Sequence, residues 1–168
     1  MKNLIRLSLI ALFLGAGSLV AQSKVGHVDL DSLIRIMPKY DSVKKVSEDY
    51  GKKLDLEYQS MYADYDKKVK EYTEQEKNWT DFIKEMKKKD IIQLEQTLRD
   101  FPQNAQNEMA KKNAELLTPL EKAARKAIDD VAKENKYTMI LDSTVGNILY
   151  SLPSDDIMPL VKKKLGIK

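Results

Sequence analysis

The chain contains no cysteine and a single histidine, His27. Without cysteine there is no disulfide framework, no thiol chemistry and no thiolate metal site. One histidine cannot build a histidine cluster for a metal, and its place in the apolar stretch Val25 to Val28 makes it structural rather than catalytic. No glycine-rich phosphate-binding loop is present, so nothing here uses ATP. Ser42-Val43-Lys44-Lys45 has the Ser-x-x-Lys spacing of penicillin-recognising enzymes. No Ser-Asp-Asn or Lys-Thr-Gly accompanies it, and in so lysine-rich a chain the match is chance. Long apolar runs are missing too. The longest, Leu7 to Val20, has 14 residues, against about 20 for a membrane-spanning helix. Placed after Lys2 and Arg6 and before Ala21, it reads as a secretory signal peptide over residues 1–21. A surplus of charge is the last absence. Lys+Arg total 29 and Asp+Glu 26; removing Lys2 and Arg6 leaves 27 against 26, a formal +1. That balance argues against nucleic acid, which calls for a basic stripe.

What the chain does have is helix. Lys24 to Leu30 alternates apolar and polar residues and predicts a first strand, followed by a short helix, Leu33 to Met37, capped by Asp31 or Ser32 and stopped by Pro38. Asp29-x-Asp31 could touch a cation, but a strand end followed by a helix cap explains both residues. Asp41 then opens a long helix. Its apolar positions are Val43, Val46, Tyr50, Leu54, Tyr58, Met61, Tyr65, Val69 and Tyr72, a stripe with the period of about 3.6 of a straight α-helix. Four of them are tyrosine, which buries its ring only if the hydroxyl stays wet or paired, so the seam should be half-wet. The stripe loses register near residues 77–81, where the hairpin tip is expected. The return helix carries apolar residues from Ile83 to Val131, and Pro102 and Pro119 should kink it rather than end it. Arms of roughly 37 and 54 residues would reach about 55 and 80 Å. Asn135 suits a left-handed cap. Tyr137 to Asp142 reads as a strand, Ser143 to Asn147 as a turn, Ile148-Leu149-Tyr150 as a third strand, and Ser154 or Asp155 as the cap of a last helix ending in Lys162 to Lys164 and Gly166.

The fold class is therefore α+β, predominantly α: a long antiparallel hairpin, residues 41–135, on a small base built from 22–40 and 136–168. A base of about 45 residues is too small for a self-sufficient core, and three short strands leave open edges. Pairing with copies of the same chain answers both needs. Candidate residues for that contact are Val25, His27, Val28, Met139, Ile140, Leu141, Ile148, Leu149 and Tyr150.

The ends KVGHVDLDSLIRIMP and YTMILDSTVGNILYSLPSDDIMPLVKKKLGI, separated by a long charged hairpin, resemble the Skp/OmpH family of periplasmic chaperones. The resemblance covers essentially the whole mature chain in layout. It implies a homotrimer whose bases join into a small β-barrel body, with three arms around a cavity that holds unfolded outer-membrane proteins without ATP. It implies no cofactor and no enzymatic activity. One departure bears on partners. Basic arms in the best-known members attract anionic lipopolysaccharide, whereas residues 64–90 here carry eight lysines and eight acids. Contact with lipopolysaccharide or a membrane surface is accordingly weakened. A surface that retains unfolded chains must be apolar yet adaptable, which singles out Met61, Tyr62, Tyr65, Tyr72 and Trp79. Met61, Tyr65 and Tyr72 could equally be seam, and Trp79 could cap the hairpin core. A structural coiled-coil scaffold or adaptor with folded partners is the alternative reading.

Overall fold

The computed structural model describes residues 23–144, 146 and 148–167, so the signal-peptide reading of residues 1–21 lies outside the described residues. Strand β1 (Val25–Val28) leads into helix α1 (Leu30–Arg35). Asp29 stands between them with extended backbone, and its carboxylate accepts from the Ser32 amide at 2.9 Å and the Ser32 hydroxyl at 2.6 Å. The expected cap at Asp31 or Ser32 thus moves upstream, because the residue leaving a strand is the one whose side chain reaches the amide three positions on.

Helices α2 (Tyr40–Gln75) and α3 (Asp81–Glu134) form the antiparallel arm, 36 and 54 residues long. Asp41 does not cap α2. The chain enters from a turn in which Tyr40 N–H bonds to Met37 O, and Lys39 takes the cap position without a side-chain bond. Asp41 sits instead in the first turn, where the helix dipole favours an acid. At the tip a 3₁₀ turn, Glu76–Asn78, precedes Thr80, whose hydroxyl accepts from Ile83 N–H and opens α3. α3 continues through both Pro102 and Pro119.

Its far end corrects the sequence reading by one residue. The left-handed position is Lys136 (φ 59), not Asn135. Tyr137 N–H bonds to Ala132 O at 2.9 Å and Lys136 N–H to Lys133 O at 3.4 Å, the paired closure of a Schellman motif. Asn135 keeps negative φ because its side-chain amide turns back to Val131 O. The same motif ends the last helix, α4 (Met158–Lys164), with Gly166 at φ 69. Ser154 and Asp155 lie in a 3₁₀ turn, and it is the Asp156 carboxylate that accepts from Met158 N–H.

Strand β2 (Met139–Asp142) pairs parallel to β1, Val25 opposite Met139 and His27 opposite Leu141. The whole arm is the crossover that a parallel pair needs. On its other edge β1 bridges Asp156, and Ile157 N–H bonds to His27 O at 2.9 Å. β1 is therefore central, and the outer edge of β2 is open. The third strand expected at Ile148-Leu149-Tyr150 does not form. Both edges of β1 are taken, and the chain leaving β2 crosses to the Asp156 side, so these residues meet no ladder partner among the described residues. Leu149 is 98% and Tyr150 82% exposed.

The core lies where arm and base meet. Val28, Leu30, Leu33 and Ile34 pack with Ile157 and Val161 against Leu120, Ala124, Ala127 and Val131 of α3. The alanines are the physical key, because their small side chains let α3 approach the base closely. The root of the arm thus completes a core that the base residues alone could not fill.

Candidate functional site

Away from that root the arm is thinly buried. No residue of α2 is fully buried, and beyond the root Leu98 is the one buried position of α3 among the described residues. The stripe faces α3 as its period dictates, but Val46 stays exposed and Ser47 takes its place in the seam, its hydroxyl bonded to Asn113 Oδ1. Polar pairing and half-buried rings leave most of the seam partly open to solvent.

In the middle of the arm four aromatic rings form a chain. Tyr58 leans on Phe101 across the seam with centroids 5.5 Å apart, Tyr62 lies 6.5 Å from Tyr58, and Tyr65 lies 6.4 Å from Tyr62. Tyr58 and Tyr65 are half-buried; Tyr62 is 51% exposed. Met61 is half-buried as well. One step off the stripe rotates Tyr62 out of the seam while leaving its ring against its neighbours. That placement creates an apolar face supported from behind and wet in front.

Tyr72 and Trp79 belong to a second cluster. Their rings meet edge-to-face at 5.8 Å, and the Lys87 ammonium stands 5.3 Å from the centre of the Trp79 ring. Lys87 also reaches across the hairpin to Glu71 at 2.7 Å. That hydrogen bond holds the Glu71 carboxyl below its ordinary range. Trp79 is thus half-buried as a cap on the hairpin, with Tyr72 beneath it. The arm candidates divide: Tyr62 presents a surface, while Met61, Tyr65, Tyr72 and Trp79 share theirs with the hairpin's own packing.

Sequence reasoning missed the outward apolar residues Phe82 and Ile92 and placed Met86 in the seam. They are 74%, 54% and 53% exposed. Phe82 and Met86, four residues apart and out of phase with Leu94 and Leu98, carried the available signal.

The base candidates divide as well. Val28 is 2% exposed and belongs to the chain's own core, against which Ile140 also packs. Strand alternation puts Val28 and Ile140 on opposite faces from the residues beside them. Val25, Met139 and Leu141 accordingly lie on the other face of the sheet, all more than two-fifths exposed. His27 shares that face, with both ring nitrogens buried and without a hydrogen-bond partner. A groove flanked by Arg125, Ile128 and Asp129 of α3 runs along the open edge of β2. Among the described residues no group of three or more His, Cys, Asp or Glu side chains is placed to hold a metal ion. No described helix is long and apolar enough to cross a membrane.

A family model for outer membrane proteins of the OmpH-like kind matches residues 24–165. No curated protein sequence matches significantly. Among solved structures, an OmpH-like protein of Caulobacter crescentus CB15, named as a candidate outer membrane chaperone, superposes with a TM-score of 0.69. The two are 14% identical over 85% of this chain and 83% of the other, a likeness of fold.

Proposed function

The chain belongs to the OmpH-like family, a family of chaperones and not of enzymes, and from that premise we propose a periplasmic holdase for unfolded outer-membrane β-barrel proteins. The observation that carries the reading is the exposed Tyr62 ring, braced by Tyr58 and Tyr65, on a long arm anchored at one end. Such a surface offers ring area and a hydroxyl together, which suits chains of mixed polarity. Contacts of this kind are individually weak and exchange freely, so a client leaves without nucleotide.

The arm surrounds a client only if several arms share one base, and we infer a homotrimer. Supporting it are the open β2 edge, the apolar sheet face of Val25, Met139 and Leu141, and the exposed Leu149 and Tyr150, which have no ladder partner among the described residues. An unpaired edge beside exposed apolar side chains is a surface that soluble proteins cover. The export signal expected in residues 1–21 accords with a periplasmic site of action.

The test is dilution of a urea-unfolded outer-membrane β-barrel protein into buffer with the purified mature chain and no nucleotide. Suppressed light scattering, together with a native mass of three copies, is the expected result. Aggregation as in buffer alone, with a folded partner captured instead, points to a scaffold and removes the holdase reading.

A further inference from the structure

Resting on the homotrimer reading, we propose that residues 148–152 of an unassembled copy are a cleavage site for an endoprotease that takes an extended chain with a large apolar side chain before the scissile bond. Assembly hides the site, so that only copies without partners are removed. No residue from 143 to 154 carries a charge, in a chain of which 33% is charged. Leu149 and Tyr150 are 98% and 82% exposed, and Leu152 is 51% exposed with extended backbone (φ -79, ψ 147). Elsewhere the chain passes between elements in turns closed on themselves: Tyr40 N–H bonds to Met37 O, Trp79 N–H to Glu76 O and Tyr137 N–H to Ala132 O. Among the described residues, none from 148 to 152 donates a backbone hydrogen bond. No such bond has to break before this stretch enters a cleft, whereas a helical segment must first unwind.

Chemistry picks the bond, and topology sets the consequence. Leu152 is followed by Pro153, whose ring crowds the scissile nitrogen, which leaves the bonds after Leu149 and Tyr150. Hydrolysis adds one water across either bond. The hydroxyl goes to the carbonyl carbon, the proton to the departing amide nitrogen, and nothing is oxidised or reduced. Everything past the cut is then held by contacts alone, and those contacts include much of the base. Ile157 N–H bonds to His27 O at 2.9 Å, Ile157 and Val161 are completely buried, and Lys164 pairs with Glu134. Loss of this piece frees one edge of β1 and unseals the core that Leu120, Ala124 and Ala127 share with it. One hydrolysed bond thus commits the copy to unfolding. The features that suit pairing with a neighbouring copy also suit a protease cleft, since both accept an extended, uncharged strand. The two compete for the same residues, and assembly wins when copies are plentiful.

The experiment treats the full mature chain with chymotrypsin over a range of protein concentrations, with native mass measured at each and first cuts located by intact mass. Where single copies dominate, the first cut should fall after Leu149 or Tyr150. The cut chain should then lose helical circular dichroism and fail to assemble when concentrated. Where three copies dominate, that cut should slow by about tenfold or more, because cleavage follows the population of the bare form. A variant carrying Leu149→Ser and Tyr150→Ser should keep the parent's helicity at low concentration and lose this first cut. Ser151→Pro, which bars only the bond after Tyr150, should move the cut to Leu149. First cuts in the arm, at Tyr62 or Phe82, or scattered along the whole chain, refute the proposal, while a native mass of three copies leaves the homotrimer standing. Equal cutting rates in the two states refute it too. So does persistence of three copies at every concentration, since no bare copy is then offered. A native mass of one copy at every concentration overturns the homotrimer reading and this proposal with it.

Discussion

Two glycines in this chain should respond to the same substitution with opposite signs, and the difference is one of space alone. Gly26 lies in the central strand and Gly51 inside α2; neither has the positive φ that Gly146 and Gly166 adopt. A Cβ built at Gly26 would stand 2.8 Å from Ile157 Cγ2 and 2.9 Å from Tyr137 Cε1. Ile157 is completely buried and packs beside Val161, so it has nowhere to retreat. Gly26→Ala should cost about 1–3 kcal/mol, the usual penalty of overpacking a filled core. At Gly51 the nearest atoms to an added Cβ are Met109 Cε and Sδ, both at 3.8 Å, an ordinary contact with a flexible side chain. There the replacement removes the entropy cost of glycine in a helix and should stabilise by about 0.5–1 kcal/mol. Urea unfolding followed by helical circular dichroism, at fixed protein concentration, separates the two. A midpoint for Gly26→Ala equal to that of the parent would refute the packing argument. A loss of stability in Gly51→Ala would show that the arm needs glycine there for a reason other than room.

Acid should weaken the base. The Ser32 hydroxyl holds the Asp29 carboxyl below its ordinary value, and the Thr144 hydroxyl does the same for Asp142, despite partial desolvation. Depressed carboxyls contribute stability that is complete above about pH 4 and fades as pH falls through the folded values, so the urea midpoint should drop below pH 4. Thr144→Val should shrink that drop, and an unchanged acid response would refute the assignment. Tyr58→Ala, which removes the ring against Phe101, should destabilise the arm by about 1–2 kcal/mol. Tyr62→Ala should stay within about 0.5 kcal/mol of the parent in unfolding, yet weaken client retention in the dilution assay. Equal effects of Tyr58→Ala and Tyr62→Ala on both measurements would erase the distinction between seam and surface. Amide hydrogen exchange should leave residues 120–131 of α3 protected longer than its residues 81–95; uniform protection along α3 would contradict the burial pattern.

The hairpin was legible because its information is periodic. A stripe from Val43 to Tyr72 fixes which side of α2 faces its partner, and the loss of register near Trp79 fixes the tip, found at Glu76–Asn78. The half-wet character followed from four tyrosines in that stripe. Local boundaries were less legible, since several nearby residues offer an acceptor: Asp29 and not Asp31 caps α1, and Ile157 takes the cap position of α4 while the Asp156 carboxylate, not that of Asp155, accepts from its first amide. At the end of α3 the conflict was between a residue type that tolerates left-handed backbone and a residue whose side chain had a better use. Asn135 bonds to Val131 O, and Lys136 takes the positive φ. The third strand was misread because β propensity in Ile148-Leu149-Tyr150 says nothing about where a pairing edge lies. Phe82 and Ile92 were missed, and Met86 misplaced in the seam, because a return helix with apolar residues on two sides gives no single phase to follow.

Burial along the molecule runs steeply from one end to the other, and the gradient connects stability to function. At the root, Ala124, Ala127 and Val131 are sealed against Leu33, Ile157 and Val161. Midway, α2 contributes only half-buried side chains, and at the tip Phe82 and Met86 stand exposed. A client that competes for arm contacts therefore disturbs little of what keeps the chain folded. Were the same aromatic residues placed at the root, capture of a client would open the core, and the holder would unfold with what it holds. Separating the anchored end from the adaptable end by the length of the helical arm avoids that conflict. It also accounts for a poorly buried seam: Leu98 apart, the fully buried side chains of α3 are gathered in its last four turns, and propagation from that ordered end is easier than nucleation at the tip.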